Sequence, residues 1–351
     1  MRQPAGARAG FGLVIFSSAA FSTSGALGKS LIDAGWSPGA AVAVRVAVAA
    51  VILAVPALVL MRGQWHVLRP QAASVIAYGL LSVAGAQLCY FQAIRLMPVG
   101  VALLIEYLGI VGVVGWMWAR HGQRPRRLTL AGSAAALAGL ALVLGVFGHA
   151  TLNVAGVAWA LGAAFGLGSF FVLAAGGTAN LPPVALSSAG MGVGAVALLG
   201  LGGAGVLPMH ATFGSVTFAG HAVSWLVPVL GLSLVAAVLA YVTAIYGIRL
   251  LGPRLASFTG LTEVLFAVLV AWLLLGELPT LMQLGGGVLI IAGIAAVRAD
   301  ETRNPAKRRP SVTMNHHIIT LRQPTITAVC APVKSSALSF TAFIGSAFIT
   351  A

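Results

Sequence analysis

The chain has 351 residues, of which 59% are hydrophobic and only 7% are charged, and its mean hydropathy is +1.01. A soluble domain carries about 25% charged residues, so this composition excludes a soluble globular protein. The apolar residues form long continuous runs, whereas an outer-membrane barrel would show short alternating segments. We therefore predict an all-α membrane protein with many transmembrane helices.

Ten runs of mostly apolar residues are long enough, at about 20 residues each, to cross a bilayer as helices. We interpret the first run as an uncleaved helix in preference to a cleaved signal peptide, because it continues to Asp33 and a second run follows at once. The ten predicted spans are 11–33, 38–61, 71–94, 98–119, 128–147, 153–175, 183–207, 222–247, 254–275 and 280–298.

The formal net charge of +14 is explained by membrane topology, because Arg and Lys gather in cytoplasmic segments. Basic residues lie near both ends of the apolar region and in most of the alternate loops, so we predict that both termini are cytoplasmic. The protein would then be a multi-pass protein of the inner (plasma) membrane. The loop 176–182 lacks the basic residue that this topology requires. We expect no nucleic-acid partner, because the sequence offers no soluble basic face.

A duplicated unit organises the sequence. The triplet Ile-Arg-Leu at 94–96 recurs at 248–250, and the pair Ala-Gly at 138–139 recurs at 292–293, with one constant offset (248 − 94 = 154 and 292 − 138 = 154). Such an offset over two distant anchors indicates an internal repeat, which is common in membrane transporters. The predicted segments are a cytoplasmic N-terminus (1–10), a first repeat (11–147), a second repeat (148–299) and a basic, disordered cytoplasmic tail (300–351).

Two motifs of soluble nucleotide-binding proteins occur without the context that they require. Residues 23–30 resemble a phosphate-binding loop, but Thr23 stands where the first glycine belongs and no strand precedes it. Residues 200–205 match a dinucleotide fingerprint inside an apolar run, where close helix packing explains the glycines better. The sequence has no nucleophile motif and too few acidic residues for a metal–phosphate site. We expect no enzyme activity, no cofactor and no metal ion.

Ionisable residues inside the predicted spans are costly, and they indicate a transport pathway. They are Lys29, Arg45, Glu106 and Glu263. The repeat offset places Glu106 opposite Gly260, which is three residues, or about one helical turn, from Glu263. We therefore expect the two carboxylates to project from similar faces of related helices and to meet near the repeat interface.

Each of these residues is open to two interpretations. Glu106 is a proton acceptor or a partner for a substrate amino group in one interpretation. In the other it is a structural carboxylate that pairs with Arg45 or Lys29, or that snorkels towards an interface. We favour a structural ion pair for Arg45. Lys29 lies near the outer end of its span, where a side chain that snorkels to the membrane surface is the simpler explanation.

Aromatic and amide side chains on the third and eighth runs are candidates for a cavity lining. Gln87, Tyr90 and Phe91 lie within about one turn of each other, and Tyr241 and Tyr246 lie close together on the eighth run. Helix packing or an aromatic belt at the membrane interface explains them equally well. We assign three tryptophans near helix ends to such a belt, namely Trp116, Trp118 and Trp272.

The second copy resembles an EamA domain of the drug/metabolite transporter superfamily over LTEVLFAVLVAWLLLGELPTLMQLGGGVLIIAGI. Glu263 is followed fourteen residues later by Glu277 of a Gly-Glu pair (277 − 263 = 14), and the last helix is rich in glycine. The first copy, RLMPVGVALLIEYLGIVGVVGW, resembles the threonine/homoserine exporter branch. There Pro98 is followed eight residues later by Glu106 (106 − 98 = 8) and then by Tyr107. The resemblance covers about residues 10–299.

This resemblance implies a 5+5 inverted-repeat fold and a central cavity built by helices of both halves. We expect a secondary active transporter that exports amino acids or related small polar metabolites by alternating access, driven by protons or by exchange. Two alternatives stay open, namely export of drugs or cationic solutes, and translocation or modification of lipids. The candidate residues for substrate binding or coupling are Glu106, Tyr107, Gln87, Tyr90, Glu263, Tyr241 and Arg45.

Overall fold

A computed structural model describes residues 5–63, 65–97, 99–122, 125–144, 153–176, 178, 181–275 and 280–302. Several predicted features lie outside the described residues. They are Pro98 of the first motif, Gly276 and Glu277 of the second, part of the loop 176–182, and the tail from residue 303 onwards.

The first half of the chain contains five helices in the order that the apolar runs predict. Serine at position 37 caps the second helix, because the Ser37 hydroxyl accepts a hydrogen bond from the Ala40 N–H and Pro38 occupies the first turn. The helices are α1 (Ala5–Asp33), α2 (Pro38–Leu60), α3 (Leu68–Leu96), α4 in two parts (Val99–Tyr107 and Gly109–His121) and α5 (Arg127–Val143).

The second half repeats this order and adds a β-hairpin. Nine helices in the described part of the chain are long and apolar enough to cross a bilayer, whereas α5 is shorter. The count of ten spans therefore stays a prediction. The elements are α6 (Val154–Ala175), α7 (Pro183–Gly203), β1 (Ser215–Phe218), β2 (His221–Ser224), α8 (Leu226–Leu251), α9 in two parts (Pro253–Gly260 and Thr262–Leu275) and α10 (Leu281–Thr302).

Glycines bring α5 and α10 into backbone contact. A Cβ atom added at Gly132 would lie 2.9 Å from the Gly293 carbonyl oxygen, and one added at Gly139 would lie 2.5 Å from the Gly286 carbonyl oxygen. The helices are therefore antiparallel. The repeat offset carries Gly132 to Gly286 and Gly139 to Gly293 (286 − 132 = 154 and 293 − 139 = 154), so it exchanges the two contacts. Such an exchange is the local signature of a two-fold relation between the repeats.

Two departures from regular α-helix occur in both repeats at equivalent places. Helices α3 and α8 contain π-helical stretches, Tyr78–Gly85 and Gly231–Leu239, which the offset superimposes to within one residue. Helices α4 and α9 are interrupted at Leu108 and Leu261, where the backbone N–H bonds the carbonyl three residues earlier instead of four. Irregular backbone at membrane depth is tolerated where it faces a cavity or other protein groups.

The hairpin in residues 215–224 replaces the start of the predicted eighth span, so the expectation that a transmembrane helix begins at residue 222 is wrong. Its strands pair Phe218 with His221 across the two-residue turn Ala219-Gly220. Both turn residues have positive φ, 49° and 78°, which is the geometry of a tight type I′ hairpin turn. The sequence at this turn lacks the usual Asn-Gly or Asp-Gly signal.

Arg249 binds backbone carbonyls around the loop 176–182, which carries no basic residue of its own. From α8, its guanidinium donates hydrogen bonds to three carbonyl oxygens at the end of α6 and in the following loop. The distances are 3.3 Å to Ala174, 2.9 Å to Thr178 and 2.5 Å to Leu181. A positive charge from a neighbouring helix therefore lies at this loop.

The glycine contact between α5 and α10 predicts a position-specific loss of stability. In Gly286→Ala the new Cβ would lie 2.6 Å from the Gly139 carbonyl oxygen, and overpacking of this kind costs about 1–3 kcal/mol. We expect a lower thermal midpoint of the purified protein in detergent. Gly285→Ala is the matched control, because its Cβ meets nothing within 4 Å. Equal midpoints for the two variants would contradict the packing.

Candidate functional site

A chamber of about 600 Å³ lies between helices of both repeats. Its walls come from α1, α3, α4, α9 and the hairpin. One end, which we call the deep end, holds the two glutamates predicted from the sequence. The opposite, outer end lies at the last turns of α1 and the tip of the hairpin. The polar side chains that line it are Ser22, Ser24, Lys29, Ser30, Asp33, Gln87, Tyr90, Glu106, Tyr107, Thr217 and Glu263.

A second cavity, of about 80 Å³, adjoins the deep end of the chamber. It lies towards the N-terminal part of α1, where Val14, Ser17 and Ser18 line it. A set of residues borders both spaces and forms the partition between them. The partition consists of Phe21, Gln87, Leu103, Glu106, Tyr107 and Glu263.

The two carboxylates reach the partition from opposite sides of the helix interruptions. Glu106 lies two residues before Leu108 in α4, and Glu263 lies two residues after Leu261 in α9. The hydroxyl of Tyr107 donates a hydrogen bond of 2.9 Å to Oε2 of Glu263. A residue of the first repeat thus binds the carboxylate of the second, and the structure brings together the residues that the offset placed one turn apart.

Glu106 differs from Glu263 in its partners. Among the described residues, no hydrogen bond or ion pair is made by the Glu106 carboxylate, and its side chain is half-buried at the chamber wall. Charged groups at membrane depth are stabilised only by a partner, water or a bound ligand. The Glu106 carboxylate is therefore free to accept a proton or a positively charged group from the chamber.

Arg45 forms no ion pair with any described carboxylate, so the predicted ion pair is wrong for this part of the chain. The side chain is 1% exposed and does not line either cavity. Its guanidinium instead binds neutral oxygen atoms on three other helices. The donor–acceptor distances are 2.9 Å to Ser24 Oγ, 2.6 Å to Gln87 Oε1 and 2.6 Å to the Ala236 carbonyl oxygen.

The π-helical stretches explain why a carbonyl is available to Arg45. In a regular α-helix the N–H of Ala240 would donate to the Ala236 carbonyl four residues earlier. Here it donates to the carbonyls of Val235 and Ala237. The equivalent N–H, that of Ala86, likewise donates to the Leu81 carbonyl and not to the carbonyl of Ser82, four residues earlier. The carbonyls at these equivalent positions (236 − 82 = 154) therefore lack the hydrogen bond that a regular α-helix supplies from the N–H four residues later.

The second of these carbonyls, that of Ser82, receives the hydroxyl of Tyr241 at 3.5 Å. In this pair the donor, Tyr241, belongs to the second repeat and the acceptor, Ser82, to the first. In the other pair the donor, Arg45, belongs to the first repeat and the acceptor, Ala236, to the second. Each repeat therefore supplies one side-chain donor to a bypassed carbonyl of the other. These two hydrogen bonds tie α2 to α8 and α8 to α3 directly beside the partition.

The remaining predicted residues divide between the cavities and the protein interior. Gln87 and Tyr90 line the chamber, and Tyr241 lines the smaller cavity. Tyr246 is 42% exposed on the outer surface, which agrees with the aromatic-belt interpretation and not with a cavity lining. Phe91 is fully buried and packs against the position of Gly28, which agrees with the helix-packing interpretation.

Sequence reasoning missed the contribution of α1 and of the hairpin. Lys29, for which a snorkelling side chain was expected, is exposed, lines the outer end of the chamber and pairs with Asp33 at 3.1 Å. The serines of α1 recur at positions 17, 18, 22 and 24, on the side that faces the cavities. A polar stripe of this kind on an apolar helix was the signal that could have identified them.

Comparison with known proteins agrees with this architecture. The sequence profile of the EamA-like transporter family matches residues 8–145 and 154–299. The chain belongs to the EamA-like transporter family. A relative described as an uncharacterized transporter, from Archaeoglobus fulgidus, is 30% identical over 217 residues, which cover 62% of this chain and 72% of the relative. Assignment to the threonine/homoserine exporter branch stays a prediction.

A solved structure shares the fold of this EamA family member. It is the crystal structure of a protein with 22% sequence identity and a TM-score of 0.65. The match covers 86% of this chain and 100% of the other. The two matched segments of the family profile confirm the two-repeat helical architecture predicted from the sequence, and the family identifies the protein as a membrane transporter.

The buried Arg45 predicts a strong dependence of stability on the shape of its side chain. Arg45→Met leaves three acceptors without a donor, and each unsatisfied buried group costs about 1–3 kcal/mol. Arg45→Lys keeps the charge but loses the planar fork that reaches several acceptors at once. We expect the thermal midpoint in detergent to fall in the order wild type, Lys variant, Met variant. Arg95→Met, at an exposed position, serves as the control, and a Lys variant as stable as wild type would contradict this role.

Proposed function

We propose that this chain is a secondary active transporter that exports amino acids or related small polar metabolites from the cytoplasm across the inner membrane. Transport proceeds by alternating access and is coupled to protons or to exchange of solutes. The observation that carries this proposal is the carboxylate of Glu106, which has no hydrogen-bond or ion-pair partner among the described residues and lies in a chamber built by both repeats. With both termini cytoplasmic, the outer end of the chamber faces away from the cytoplasm.

The chamber provides the groups that an amino-acid zwitterion needs. Glu106 accepts the ammonium group, and Gln87 and Tyr90 beside it offer further hydrogen bonds. Lys29, at the outer end of the same chamber, is the cation available for a carboxylate. The volume of about 600 Å³ lies within the range of about 300–1,000 Å³ that is typical of small-molecule sites.

The partition supports a simple route for coupling. A proton and a substrate ammonium group cannot occupy the Glu106 carboxylate at the same time, so the binding of one releases the other. Tyr107 holds Glu263 beside it, which keeps the second carboxylate oriented while Glu106 changes partner. Movement of one repeat against the other would then expose the partition to the smaller cavity in one state and to the chamber in the other.

A second candidate substrate class is cationic organic solutes. Both carboxylates line the chamber, whereas Arg45 is withdrawn from it into hydrogen bonds with neutral groups. The aromatic rings of Tyr90 and Tyr107 add faces that attract a cation. A solute with a positive charge and no carboxylate would need only this deep end of the chamber.

Counterflow in proteoliposomes distinguishes the substrate classes. We expect labelled threonine, homoserine or another amino acid to be taken up by wild type and uptake to fall about tenfold or more in Glu106→Gln, because a hydrogen bond to a charged group is worth about 1.5–3 kcal/mol. Asp300→Asn is the control, since this carboxylate lies on α10 and bonds Thr129.

Each outcome of the counterflow assay selects one reading. Uptake of amino acids that survives Glu106→Gln would keep the transporter and remove Glu106 from its mechanism. Uptake of a cationic dye without uptake of any amino acid would select the second substrate class. Activity only on headgroup-labelled lipid would contradict both proposals in favour of lipid translocation.

A further inference from the structure

The hairpin breaks the symmetry between the two repeats. In the first repeat the connection from α2 to α3 is short and covers residues 61–67. In the second repeat the equivalent connection, from α7 to α8, covers residues 204–225 and contains β1 and β2. The hairpin is therefore an addition to the second repeat that has no counterpart in the first.

The tip of the hairpin forms part of the chamber wall. Thr217, Phe218 and Ala219 line the chamber at the outer end, together with Lys29 and Asp33 of α1. Strand β1 packs against α1. A solute that moves between the outer end and the carboxylates therefore passes the hairpin tip.

The base of the hairpin is fixed to the turn between α1 and α2. The indole N–H of Trp36 donates to the Thr212 carbonyl oxygen at 2.7 Å, and the Thr212 hydroxyl donates to the Ala34 carbonyl oxygen at 2.7 Å. The ring of Trp36 also packs against the rings of Phe213 and Trp225 on either side of the hairpin. Because both ends of the segment are held, the position of the tip is determined by the paired strands.

Within the hairpin, the two residues that face each other across the turn have different surroundings. Phe218 is half-buried and lines the chamber, whereas His221, its partner in the strand register, is exposed and does not line it. An isolated two-stranded hairpin is marginally stable, so burial of Val216, which is 1% exposed, is needed to hold this arrangement. The apolar ring of Phe218 is the bulkiest side chain at the tip.

We propose that the hairpin tip is a specificity-determining wall, in which the side chain of Phe218 sets the size of the solute that passes between the outer end and Glu106. The role of this wall in substrate specificity rests on the proposed function, because it requires that the protein transports a solute. The restriction itself is a property of the wall and acts on any molecule that enters the chamber.

The first experiment measures the restriction without a substrate. Ser22, a buried residue of the chamber wall, is replaced by cysteine in a background with Cys89→Ser and Cys330→Ser, and the protein is placed in lipid nanodiscs. Labelling rates are measured with a small methanethiosulfonate reagent and with bulky fluorescein maleimide. We expect Phe218→Ala to raise the rate of the bulky reagent several-fold and Phe218→Trp to lower it several-fold, with the small reagent unchanged.

His221→Ala is the matched control on the same hairpin, and it should leave both rates unchanged. A hairpin that merely unfolds would raise the rate for alanine and tryptophan alike, which would overturn the proposal. Equal rates in the wild type and both Phe218 variants would overturn it as well.

The second experiment asks whether the wall selects substrates. Counterflow of a small and a bulky solute that wild type carries is compared in Phe218→Ala, and we expect the ratio of bulky to small uptake to rise several-fold. An unchanged ratio, beside changed labelling rates, would overturn the role in specificity while leaving transport in place. If no solute is transported at all, the proposed function fails, and the labelling rates still decide whether the wall exists.

Discussion

Backbone carbonyls in the hydrocarbon core have no water to bind, so each one needs a donor from the protein itself. In the π-helical stretches of α3 and α8, two equivalent carbonyls, those of Ser82 and Ala236, lose the regular bond from the N–H four residues later. The donors come from the opposite repeat, Tyr241 in one case and Arg45 in the other. A guanidinium at the centre of a helix costs about 2.5–3.5 kcal/mol to insert, and charge-assisted hydrogen bonds of about 1.5–3 kcal/mol each offset that cost. The same bonds hold the repeats together beside the cavities.

The charge distribution in the chamber depends on which acceptors Arg45 and Tyr107 bind. Because Arg45 is committed to neutral acceptors, its charge does not pair with either glutamate. Glu263 is held by the hydroxyl of Tyr107, and Glu106 faces the chamber with no described partner. The interruptions at Leu108 and Leu261 place both carboxylates at one partition, although they lie on opposite sides of their breaks. The result is a chamber whose deep end favours positively charged groups and whose only lining cation among the described residues, Lys29, lies at the outer end.

The repeat, the helices and the convergence of the two glutamates could be predicted because hydrophobic runs and a constant offset depend on local sequence. The hydrogen-bonding partners of Arg45 could not. They depend on π-helical stretches whose sequences, YGLLSVAG and GLSLVAAVL, contain no proline and read as ordinary apolar helix. The hairpin was missed because its strands are four residues long and Ala219 stands at a left-handed position that normally selects Asn, Asp or Gly. The two interpretations of Tyr241 and Tyr246 could not be separated either, because these residues lie about 140° apart around a helix and only the packing of α8 shows which of them is buried.

A two-fold framework has a consequence for alternating access. If the repeats were identical, the two states reached by exchanging their conformations would have equal free energy, and each would be half populated. The reciprocal glycine contacts of α5 and α10 and the paired carbonyls preserve that relation in the framework. Arg45 and the hairpin violate it, since each belongs to one repeat alone. A difference of about 1.4 kcal/mol between two states changes their ratio tenfold. In the transport cycle that we propose, these two asymmetric elements are where such a difference would arise.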